Sequence, residues 1–113
     1  MNRLTLNLVQ GAVSFNFSHE AAKQLQTEIA DLMQSLKAIA NVGAGTSNRP
    51  TRQKSMEYQH TGDIFLEIFC NPNIYPSPFA AKILVTLRDD RIRLTSEAEL
   101  TRLIEDLNTY LES

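Results

Sequence analysis

Cys70, His60 and His19 are the residues of this 113-residue chain from which a thiol or imidazole site would have to be built, and their setting argues against one. A cysteine nucleophile needs a neighbouring base and an electropositive surrounding, whereas Cys70 ends the apolar run that begins at Ile64 and reads as a small packed hydrophobe. The two histidines stand far apart without metal-ligand spacing, and His60 with Asp63 reads as surface polarity near the start of a strand. Glu67 is a lone carboxylate among apolar residues, so it must face water or find a cation, and Arg88 or Arg93 across a sheet is the expected partner. Gly43 and Gly45 form only G-x-G, with no third glycine and no following Lys-Ser/Thr, which leaves nucleotide binding unsupported. Arg88, Arg91 and Arg93 surround a turn. They read either as solvated turn charges or as bidentate donors to an acidic peptide or a phosphate. No catalytic residue, metal site or cofactor follows from any of these patterns.

The elements that position these residues can be read from periodicity. Leu4, Leu6 and Leu8 alternate with polar neighbours, as do Val13, Phe15 and Phe17, and Gln10-Gly11 between them predicts an N-terminal hairpin with Phe15 and Phe17 toward the core. Ser18 caps a helix whose apolar stripe is Leu25, Ile29, Leu32, Met33, Leu36 and Ile39 and which ends near Asn41. A flexible linker over about 41–57 follows, rich in Gly, Ser, Thr and Asn, and carries Arg49, Arg52 and Lys54. The alternating run 64–69 predicts a central strand, apolar on nearly both faces. Asn71 to Pro78 is a stiff proline loop that displays Ile74 and Tyr75. A strand over 82–88, a turn at Asp89-Asp90 and a short return strand over 91–94 make a second hairpin. Ser96 and Glu99 have capping-box spacing, and Leu100, Leu103, Ile104, Leu107, Tyr110 and Leu111 form the stripe of the last helix.

The expected fold is a single α+β domain over 1–113, of order ββαβββα, with an antiparallel sheet of about five strands and two amphipathic helices. Two helices leave room for an open sheet face, with Phe65, Phe69, Leu84 and Val9 either on it or in the core. The chain has 11 Lys+Arg against 13 Asp+Glu, which argues against a general affinity for nucleic acid. It has no apolar run long enough to span a membrane and no secretory signal pattern, and its single cysteine suits a reducing compartment, so a cytoplasmic location is expected.

Over 62–72 and 88–95 the sequence resembles small cyanobacterial proteins that act as assembly factors, among them chaperones that bind carboxysome shell proteins. That resemblance implies a non-enzymatic role and a protein partner. The residues themselves suggest an adaptor that holds a peptide or tail segment of a larger protein, with a homodimer as a further possibility for an open sheet face. Phe65, Phe69, Ile74, Tyr75 and Tyr110 are the aromatic and apolar contacts expected, with Arg88 and Arg93 supplying polar ones. The alternative is a small regulatory module that closes the basic linker on an anionic ligand.

Overall fold

The alternation at the N-terminus folds as expected. In this computed structural model, which describes residues 3–43 and 52–112, β1 (Arg3–Leu8) and β2 (Gly11–Asn16) pair antiparallel from Arg3↔Asn16 to Leu8↔Gly11. Val9 and Gln10 make the turn, and Gly11 closes it at φ 131°, a conformation that a side chain would strain. Leu4, Leu6, Phe15 and Phe17 are all buried. Ser18 then caps α1 (His19–Gly43), its Oγ accepting from the Ala21 N–H at 3.1 Å. The helix buries Leu25, Ile29, Leu32 and Leu36 at spacings of three and four.

The second half is a four-stranded antiparallel sheet, β3 (Met56–Thr61), β4 (Phe65–Cys70), β5 (Lys82–Arg88) and β6 (Arg93–Glu99), in that spatial order. β4 is central, as its apolar run predicts. The architecture is therefore α+β, with six strands among the described residues rather than five. The additional strand is β3, which begins in the last two residues of the expected linker and continues to Thr61. Its polar residues obscure a period of two in which Met56 and Tyr58 point inward, and the Tyr58 hydroxyl donates to the Ala21 carbonyl at 3.4 Å. The described remainder of that linker is also tied down: the Gln53 N–H donates to Asn73 Oδ1 at 2.7 Å and the Asn73 Nδ2 returns a bond to the Gln53 carbonyl at 2.8 Å.

Ser96 and Glu99 do not form a capping box. They lie in β6, which runs as far as Glu99 and pairs with β5 from Lys82↔Glu99 to Arg88↔Arg93. A helix cap contributes about 1 kcal/mol, and a ladder whose bonds contribute roughly 0.5–1.5 kcal/mol each outweighs it. The final helix, α2 (Leu100–Glu112), starts only after the strand, where the Leu100 N–H donates to the Ala81 carbonyl at 3.1 Å. Its stripe then buries Leu100, Leu103, Leu107 and Tyr110.

One core joins the two sheets and both helices. Leu66, Ile68 and Cys70 of β4, Ile83, Val85 and Leu87 of β5 and Ala98 of β6 pack with the hairpin's leucines and phenylalanines and with both helical stripes. Asp106 fastens α2 to β1, its two carboxylate oxygens accepting from the Asn7 N–H and the Asn7 Nδ2, each at 2.8 Å. Arg102 lies 3.4 Å away on the same carboxylate. Asp106 is therefore buried with its charge compensated.

Candidate functional site: the open face of the sheet

Because side chains alternate along a strand, the register determines what the second face of the sheet carries. Three rows cross all four strands: Thr61, Phe65, Arg88 and Arg93; Gln59, Glu67, Thr86 and Thr95; and Glu57, Phe69, Leu84 and Glu97. Both helices and the hairpin core pack on the other side. Phe69 is 37% and Leu84 41% exposed, and they stand opposite each other on neighbouring strands. Of the two readings left open for these residues, the open face is the one present, with Phe65 half-buried within it.

Its polar groups are arranged differently from the expectation. Glu67 pairs with neither Arg88 nor Arg93; it accepts from the Gln59 Nε2 at 2.8 Å, because the register sets it beside Gln59 and Thr86. Arg88 instead lays its guanidinium over the Phe65 ring, 4.5 Å from the centroid. Arg93 stands directly across from Arg88. Like charges in that position repel, and neither arginine has a salt bridge among the described residues. One end of the face is thus cationic, while the opposite row carries Glu57 and Glu97.

The proline loop forms two short 3-10 turns, Pro72–Ile74 and Pro78–Ala80, with Pro72 and Pro78 buried. It displays Ile74, 66% exposed, and also Phe79, 83% exposed, a residue the sequence reading did not single out. The signal was available: a phenylalanine directly after a proline that anchors the loop. Tyr75 does not project in the same way but packs partly against the core, where burial raises its phenol pKa. Tyr110 is not a surface contact at all; it is buried, and its hydroxyl donates to the Phe17 carbonyl, since it completes the inward stripe of α2.

No catalytic constellation joins these residues. Cys70 is 1% exposed, and burial pushes its thiol up to about 11, the opposite of what a nucleophile needs. Its register partner is Met56, whereas that of His60 is Leu66, so the two sit about 13 Å apart along the hairpin. The His60 ring packs edge-on against Phe17 at 4.9 Å, and His19 does the same against Tyr110 at 5.0 Å. Among the described residues no group of three or more His, Cys, Asp and Glu is placed to hold a metal ion. Nor is any described helix long and apolar enough to cross a membrane.

Of the basic linker residues, Arg49 lies outside the described residues and Arg52 is exposed. Lys54 lines a groove of about 320 Å³ between α1 and β3 in which Glu28, Asp31 and Glu57 outnumber it. That setting favours a cation over an anion, and Glu28 lies close enough to add to the burial that pushes the Tyr58 phenol up to about 12. Set beside known protein families, curated proteins and solved structures, the chain matches none.

Proposed function

We propose that this protein is a non-enzymatic adaptor or assembly chaperone that holds a peptide segment of a larger protein on the open face of its sheet. The observation that carries this reading is the combination on that face of exposed Phe69 and Leu84 with the Arg88–Arg93 pair, which has no salt-bridged carboxylate among the described residues. A segment that fits brings an apolar side chain to Phe69 and Leu84 and an acidic group to the two guanidiniums, the bidentate partner they lack. Ile74 and Phe79, on the stiff proline loop that joins the end of β4 to the start of β5, offer two further exposed apolar side chains. The narrower proposal, a carboxysome shell protein as client in the cytoplasm of a cyanobacterium, rests on the resemblance of 62–72 and 88–95. The acidic surroundings of Lys54 speak against the anionic-ligand alternative.

The test is affinity purification from the native cell with the wild-type chain, with Leu84→Glu on the open face and with Lys23→Glu on the exposed side of α1 as a control. A stoichiometric protein retained by the wild type and the control and lost with Leu84→Glu is the expected result. Recovery of no such protein, or its equal retention by Leu84→Glu, would sink the reading.

A further inference from the structure

The three rows of the open face are complementary to themselves when reversed. Along β6 the outward residues run Arg93, Thr95, Glu97, and along β4 they run Phe65, Glu67, Phe69. A second sheet laid face to face about 10 Å away, turned by a two-fold axis that crosses the strands over the Glu67, Thr86 and Thr95 row, sets each end row over the opposite end row. Arg93 then faces Glu97 of the other copy, and Glu97 faces its Arg93. Phe65 comes over Phe69, and the aliphatic stem of Arg88 over Leu84, once on each side of the axis. We infer that the open face pairs with a second copy of this chain in this reversed arrangement.

Pairing of β6 edge to edge would also bring Arg93 to Glu97, but at Glu97 the edge carbonyl already accepts from the Val9 N–H at 2.9 Å. The size of the face bounds the strength of the contact. Four strands about 4.8 Å apart and six or seven residues long give a footprint of roughly 400 Å² per copy, against about 800 Å² for a standard interface. The dimer is accordingly weak and exchanging, and Glu67 facing its own copy across the axis weakens it further. This inference rests on the reading of the same face as a docking surface, and it makes the second copy an occupant that a client displaces.

A charge-swap series followed by sedimentation velocity over a concentration range tests it. Arg93→Glu and Glu97→Arg are both on exposed positions, and thermal melts check that each variant folds like the wild type. Each single swap is expected to weaken self-association roughly tenfold. The double swap should restore it, and Glu67→Gln should strengthen it. Arg93 and Glu97 lie four residues apart on one strand, too far to meet within a copy, so rescue reports contact between copies. A monomer at every concentration, or a double swap no better than either single one, overturns the inference. The two readings also separate: the double swap restores pairing with itself, but not capture of an acidic client segment, which still lacks its cation at position 93. Client capture that persists in a strictly monomeric protein would end the dimer alone.

Discussion

The two faces of the four-stranded sheet are built from the same strands yet differ in nearly every property. On the inner face Leu66, Ile68, Ile83 and Val85 are at most 1% exposed. On the outer face the residues between them, Glu67, Phe69, Leu84 and Thr86, mix charge, aromatic rings and hydroxyls, and two of the four are more than a third exposed. The contrast teaches that stability and recognition are assigned here to alternate residues of a single strand, since a period of two sends neighbours to opposite sides. A substitution one position away therefore changes a different property.

The sharpest way to break that comparison is truncation at adjacent positions of β4. Ile68→Ala leaves a cavity in the core and is expected to cost about 2–5 kcal/mol in chemical denaturation, whereas Phe69→Ala next to it should cost well under half of that. Equal costs would mean that the outer face is covered. Next in size is Asp106→Ala, which leaves the Asn7 N–H and side chain without their acceptor and removes one of the two carboxylates paired with Arg102. A loss of roughly 1–3 kcal/mol is expected for a buried group of this kind, and a loss near zero would show that α2 does not depend on this fastening. Leu84→Glu on the outer face should change stability by no more than about 0.5 kcal/mol, and its effect should appear in binding instead.

The thiol of Cys70 gives a chemical version of the same contrast. With its pKa raised to about 11 by burial, it should resist iodoacetamide at pH 8 until the chain unfolds, and rapid labelling of the native protein would contradict its inward position. The smallest effect concerns the β5–β6 turn. Asp89 accepts from the Ile92 N–H at 2.9 Å and the Arg91 N–H at 2.8 Å, and these bonds hold its carboxyl below the usual carboxylate range. A depressed pKa in the folded state contributes stability that is complete above the usual value and is lost as pH falls through the folded one. Acidification below the usual carboxylate values should therefore loosen this turn, and NMR titration should find Asp89→Ala insensitive in that window.

Much of the fold was legible in local signals. The Leu4-Leu6 and Val13-Phe15 alternations, the Ser18 cap, the stripe of α1 and the Asp89 turn each involve residues a few positions apart, so sequence spacing carries the geometry directly. The candidate site was legible only in part. Phe69, Ile74, Arg88 and Arg93 are exposed, and Phe65 lies on the open face, which for Phe65 and Phe69 was one of two readings the sequence left open. No spacing marks Phe79 as exposed, and Tyr110, expected as a contact, shares the inward spacing of Leu103 and Leu107.

What the chain determines by itself is thus the period of each segment and the residues that interrupt it, because these depend on backbone sterics and on hydrogen bonds within a few residues. Tertiary structure decided the rest. Residues 56–61 became a strand because β4 offered an edge, 96–99 stayed extended because β5 offered a ladder worth more than a cap, and Asp106 was buried because Asn7, 99 positions away, satisfied it. Each of these choices is made by a partner that is distant in sequence, and no local pattern can report the free energy of a contact before the chain has brought it together.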